Sequence, residues 1–192
     1  GRFLYAMFTR AFSIAKRIRT ETSIGDNAVS ISYAAVELAG RIFEDLREQK
    51  VLVIGAGEMA ELAIRHLLRN GVTQLKVTNR TFSHAAKLAE QFQGSVFPFE
   101  QLHRELHEAD IVISSTGAQD YILTLNSIRQ SIRKRRGRAM FFIDIAVPRD
   151  IAPEVGQIYN VVLYDIDDLQ AAVGENIKKR SEEAEKARTI VD

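Results

Sequence analysis

Gly55-Ala56-Gly57-Glu58-Met59-Ala60 is a G-x-G-x-x-A motif. It follows the apolar run Val51-Leu52-Val53-Ile54 and precedes a stretch of helical period. Each fixed position has a physical reason. Gly55 permits a tight strand-to-helix turn, Gly57 has no Cβ to hold a pyrophosphate off the backbone, and Ala60 lets a helix pack close on a sheet. The helix start adds free N–H groups and a partial positive charge. Such a motif can be a purely structural glycine turn. The strand before it, the helix after it and a second strand beyond favour dinucleotide binding.

Three further groups carry possible chemistry. Asn79-Arg80-Thr81 ends the second strand, where NAD-preferring sites place an acid for the ribose 2′-hydroxyl. No acid stands here, and a guanidinium suits the 2′-phosphate of NADPH. The same residues also make a polar turn with Thr81 as helix cap. Ser114-Ser115-Thr116-Gly117-Ala118 follows the fourth strand, placed either to run along a nicotinamide ribose or to form an ordinary turn. Asp144 is the one acid in an apolar run and reads first as a structural carboxylate, with a cofactor-facing role as the alternative.

Other candidates are weaker. His66, His84, His103 and His107 form no metal constellation, and the last two read as surface residues of a short helix. Arg129, Arg133, Lys134, Arg135, Arg136 and Arg138 form the densest basic cluster, able to touch RNA phosphates but expected to be a solvated helix end. With 26 basic and 25 acidic side chains the net charge is +1, so any nucleic-acid contact must be local. The absence of cysteine excludes disulfides, thiolate zinc sites and a thiol nucleophile within this chain. No run reaches the length of a membrane span. Arg2, Arg10, Lys16, Arg17 and Arg19 precede the first acid, Glu21, a pattern of transit peptides and equally of an exposed helix face, which is the expected reading.

The elements that must position these groups alternate. Residues 1–47 read as helical. Phe3, Met7, Ile14 and Ile18 form a stripe with Phe8 and Phe12 beside it. A break follows at 23–27, with Asp26 or Asn27 as cap, and then a second helix to about Arg47 with Ile31, Ala35, Leu38, Ile42 and Leu46 on one face. Strands are expected at 51–54, 75–78, 96–97, 111–114, 140–145 and 160–164. Helices are expected at 60–68, 83–93, 99–106 and 127–134, the last capped by Asn126. The predicted fold is α/β, a doubly wound, mostly parallel Rossmann-type sheet over 48–166 with helical extensions at both ends. The tail 167–192 has a thin seam of Leu169, Val173, Ile177, Ala184, Ala187 and Val191.

The ordered set of segments resembles the glutamyl-tRNA reductase family: Lys16 to Thr22, Ser30 to Leu38, Gly55 to Met59, Asn79 to Thr81, Ser114 to Ala118 and Ile143 to Asp150. The resemblance implies NADPH-dependent reduction of the glutamyl group of glutamyl-tRNA to glutamate-1-semialdehyde in tetrapyrrole synthesis, in the cytoplasm. It implies that Gly55, Ala56, Gly57, Glu58 and Met59 form the phosphate loop. Asn79, Arg80 and Thr81 would hold the 2′-phosphate, and Ser115, Thr116, Gly117, Ala146 and Val147 would line the nicotinamide end. The family's cysteine domain and its C-terminal dimerisation domain have no counterpart here. The chain is therefore expected to be the NADPH-binding domain of a longer protein, inactive alone, with glutamyl-tRNA and a second subunit engaged through the absent parts, and with 167–192 starting a spinal helix. No catalytic or metal-binding residue is expected in it. A shikimate-dehydrogenase-like NADP reductase domain, or a non-catalytic dinucleotide sensor, is the alternative.

Overall fold

The computed structural model describes residues 24–174, with 4, 5, 7, 8 and 10–12 of an N-terminal helix; for 24–30 it describes the backbone alone. Arg2, Phe3, Ile14, Lys16 to Thr22 and the tail seam beyond 174 lie outside the described residues. The elements are α1 (Ile24–Ile42), β1 (Lys50–Ile54), α2 (Glu58–Arg69), β2 (Gln74–Thr78), α3 (Phe82–Gln91), β3 (Ser95–Val96), α4 (Leu102–Glu105), β4 (Ile111–Ser114), α5 (Leu125–Lys134), β5 (Met140–Asp144) and β6 (Val161–Asp165). Short 3-10 turns join several of them, and 166–174 is helical again. Among the described residues no helix is long and apolar enough to cross a membrane.

The six strands pair in the order β3-β2-β1-β4-β5-β6, every neighbour parallel. Both faces of the sheet are covered, which is why its strands read as continuous apolar runs. Val51 and Val53 face α1, α2 and α3, while Leu52 and Ile54 face the layer that holds Leu102, Leu106 and Ile128. This alternation is the period of two of a strand. On the first side Ala34, Ala35, Ala39, Ala60 and Ala63 are at most 1 % exposed, so α1 and α2 approach closely. Leu169, also fully buried, adds the last described helix to that layer.

Several expectations need correction. The described part of helix α1 already includes Ile24, so Asp26 and Asn27 stand inside the helix and do not cap it. It ends at Ile42 rather than Arg47, because Asp45 accepts the Arg47 N–H at 2.9 Å and caps a separate 3-10 turn, Leu46–Glu48. That turn still buries Leu46. The start of α5 is capped by Thr124, whose N–H donates to Ser127 Oγ at 2.9 Å, and Asn126 lies inside the helix. Met7, Phe8 and Phe12 are exposed.

The largest correction concerns the basic cluster. Arg135 is buried, 1 % exposed, at the end of α5. Its guanidinium donates to Asp110 Oδ1 at 2.7 Å, to the His107 carbonyl at 3.0 Å, and to the carbonyls of Ala109, Arg138 and Ala139. Five donors in a planar fork match this ring of acceptors, which Lys cannot do. The other five cations remain exposed, and Arg138 sits 3.6 Å from Asp110. His103 is exposed and His107 half-buried. Among the described residues no group of three or more His, Cys, Asp or Glu could hold a metal.

Candidate functional site

The strand order turns back between β1 and β4, the place where an open parallel sheet leaves a crevice at the carboxyl ends of its strands. Gly55 leaves β1 with φ +108°, a backbone conformation reserved for glycine. Its N–H donates to the Thr78 carbonyl at 2.9 Å, which ties the loop to β2. Gly57 then opens α2 as its N-cap without a side-chain cap bond. A Cβ on Gly57 would meet no protein atom within 4 Å, so the space over the helix start is open. The first N–H groups of α2 lack intrahelical partners and face that space. Ala60 is fully buried, as close packing of α2 on the sheet requires.

Three cavities adjoin there. One of about 430 Å³ is lined by Ala56, Gly57, Glu58, Met59, Asn79, His84, Ser115, Thr116 and Gly117. The next, about 210 Å³, shares Asn79, Thr116 and Gly117 with it and adds Arg80, Thr81, Phe99, Ala118 and Ile122. The third, about 320 Å³, continues from Arg80, Phe99, Ala118 and Ile122 to His103, Asp120 and Tyr121. Together they make an elongated crevice with a helix N-terminus at one end and Arg80 toward the other. A cavity of about 420 Å³ opens at the opposite, amino end of β1 and β2. Its two lysines are already paired, Lys50 with Glu108 at 2.9 Å and Lys76 with Glu105 at 2.8 Å, so it offers no free cation to an anion.

The turn after β2 carries no carboxylate. Asn79 Nδ2 donates to the Thr81 carbonyl at 3.0 Å and shapes the turn. Arg80 is exposed and has no ion pair or hydrogen bond among the described residues. The wall after β4 is held from below by Asp150, which is fully buried. Its carboxylate accepts from Ser114 Oγ at 2.6 Å, the Thr116 N–H at 2.9 Å and Thr116 Oγ1 at 2.6 Å. Beside it Asp144, 1 % exposed, accepts from the N–H groups of Ala146 at 3.1 Å and Ile151 at 2.8 Å. Burial pushes the Asp144 carboxyl up to about 6, the N–H groups of Ile151, Ala146 and Asp150 pull against this, and the neighbouring Asp150 carboxylate adds to it. Asp144 therefore shapes the loop after β5 and is a structural carboxylate.

Of the residues singled out in the sequence, Ala56 to Met59, Asn79 to Thr81 and Ser115 to Gly117 come together on the crevice. Gly55 lies beneath them. Ala146 and Val147 are not in its lining: Ala146 is buried, and Val147 is 74 % exposed on the loop after β5. His84, Phe99, Ile122 and Asp150 were not foreseen. Only Asp150 had a signal, an acid closing the Ala146-Val147-Pro148-Arg149-Asp150 segment.

Residues 37–172 match the family model described as shikimate / quinate 5-dehydrogenase. The glutamyl-tRNA reductase of Geobacter metallireducens is 54% identical over 192 residues, 100% of this chain and 43% of that protein. The solved glutamyl-tRNA reductase from Methanopyrus kandleri aligns at TM-score 0.78 and 39% identity, covering 98% of this chain and 47% of that one. The nucleotide binding domain of glutamyl-tRNA reductase from Thermoplasma volcanium aligns at TM-score 0.60 and 20% identity over 81% of this chain and 96% of that one, a likeness of fold. The chain thus spans less than half the length of the curated relative it matches. With the model matching across the sheet, the chain belongs to the family described as shikimate / quinate 5-dehydrogenase, and it is similar along its whole length to glutamyl-tRNA reductases.

Proposed function

We propose that the chain is the NADPH-holding domain of a glutamyl-tRNA reductase, an enzyme that reduces the glutamyl group of glutamyl-tRNA to glutamate-1-semialdehyde. One observation carries the choice of cofactor. The crevice runs from a helix N-terminus opened by Gly57 to Arg80, which has no partner among the described residues and stands in a turn without a carboxylate. A carboxylate there would repel a 2′-phosphate, and a free guanidinium attracts one. NADPH, when bound, supplies the hydride.

The residues of this chain bind and orient. The N–H groups at the start of α2, with Ala56, Gly57, Glu58 and Met59 around them, receive the pyrophosphate. Asn79, Arg80 and Thr81 hold the adenosine 2′-phosphate. Ser115, Thr116 and Gly117 run along the ribose, and the loop at Ala146 and Val147, outside the lining of the three cavities, is assigned to the nicotinamide end. The contribution to rate is orientation, and the redox chemistry belongs to the cofactor. The chain has no cysteine. The thiol that would carry the glutamyl group as a thioester, the grip on glutamyl-tRNA and the contacts of a homodimer are all assigned to parts of the complete protein outside this chain.

The test compares this chain with the complete reductase. The chain is expected to bind NADPH in a fluorescence titration and to leave glutamyl-tRNA unreduced, while the complete protein turns it over. Reduction by the chain alone overturns the proposal.

A further inference from the structure

We infer that Asp150 is a positioning residue of the cofactor crevice: its buried carboxylate fixes Thr116 and with it the backbone wall that faces the bound cofactor. The inference rests on the NADPH reading. Asp150 is fully buried and makes no ion pair among the described residues. Three donors answer it instead, the Ser114 hydroxyl and the N–H and hydroxyl of Thr116. All come from one short stretch at the end of β4. The Asp150 carbonyl also accepts the N–H groups of Ile122 at 2.7 Å and Leu123 at 3.1 Å. One residue thus grips both ends of the irregular segment between β4 and α5.

This wiring has a consequence for Thr116. Its hydroxyl donates inward to Asp150 and accepts the Ala118 N–H at 3.1 Å. The proton of that hydroxyl is committed, so it has none to give a ligand. Its N–H is likewise taken by Asp150, so Thr116 serves the crevice by shaping the wall rather than by donating to a ligand. Hydrogen bonds to a charged group are the stronger kind, so the wall is set before a ligand arrives.

Ser114→Ala and Thr116→Val each remove one hydroxyl donor from the same buried carboxylate, but only Thr116 stands in the wall. In the full chain, NADPH affinity by fluorescence titration and the thermal midpoint are measured together. Thr116→Val is expected to weaken NADPH at least tenfold, Thr116→Ser to restore it, and Ser114→Ala to change it less than threefold at a similar midpoint. Asp150→Asn, which places donors where donors already point, is expected to lose binding; where it does not fold, the threonine series decides. Equal affinities for Thr116→Val and Ser114→Ala at equal midpoints overturn the inference. Absence of NADPH binding in the unmutated chain instead overturns the reading it rests on.

Discussion

The carbonyl oxygen of Ser115 lies 2.1 Å from the point where a Cβ on Gly55 would stand. The glycine loop after β1 and the loop after β4 are therefore in contact at Gly55, which has no side chain to hold them apart. Ser115 also donates its N–H to the Ile54 carbonyl at 2.8 Å. The two walls of the crevice are one construction, and the glycines in them have different duties.

Gly55→Ala meets both a positive φ and a backbone oxygen that cannot step aside. It is expected to lower unfolding free energy by more than about 2 kcal/mol in urea titration. Gly57→Ala meets nothing and has φ −89°, so stability should stay within about 0.5 kcal/mol. Its NADPH affinity should nonetheless fall at least tenfold, since the added methyl occupies the approach to the helix start. A pair of variants equal in stability would contradict this division.

Arg135→Met leaves Asp110 and several inward-facing carbonyls without their donor. Breaking a buried pair from one side costs about 3–5 kcal/mol. Arg129→Gln and Arg133→Gln, on the exposed face of the same helix, should each stay within about 0.5 kcal/mol. Chemical denaturation of the three variants decides, and an Arg135→Met midpoint like that of the other two would refute the structural role.

How much of this was legible in the sequence differs by residue. Ile111–Ser114 appears as strand with its expected ends, because a continuous apolar run bounded by polar residues has one reading in a doubly wound sheet. The glycine loop was readable because its chemistry is local. Arg135 was not, since its surroundings come from residues 25 to 28 positions away as well as from its own turn. Periodicity cannot tell a buried arginine from an exposed one. The end of α1 was missed because Leu46 keeps the helical spacing while Asp45 breaks the hydrogen-bond ladder. Phe99 and Ile122 reach the crevice from loops whose course only the folded chain defines.

Asp144 makes stability depend on pH in a defined direction. Its carboxyl rises from 3.8 to about 6 on folding, so the native chain holds the proton more tightly. The stability it allows is complete below about pH 4 and is lost as pH rises through about 6, by about 3 kcal/mol in all. Glu61, Glu105 and Glu108, each held low by a basic partner, act oppositely as pH falls. They cancel in a comparison with Asp144→Asn. Urea unfolding at pH 4.5 and 7.5 should show a steeper loss toward pH 7.5 in the unmutated chain than in the variant. Identical slopes would contradict the burial argument.

The central claim is that the crevice holds NADPH with Arg80 on its 2′-phosphate. Its most direct test is the pair of dissociation constants for NADPH and NADH, measured by titration on the unmutated chain and on Arg80→Ala. A clear preference for NADPH is expected, reduced at least tenfold in the variant with NADH affinity nearly unchanged. Equal weakening of both cofactors, or no preference to begin with, would contradict it.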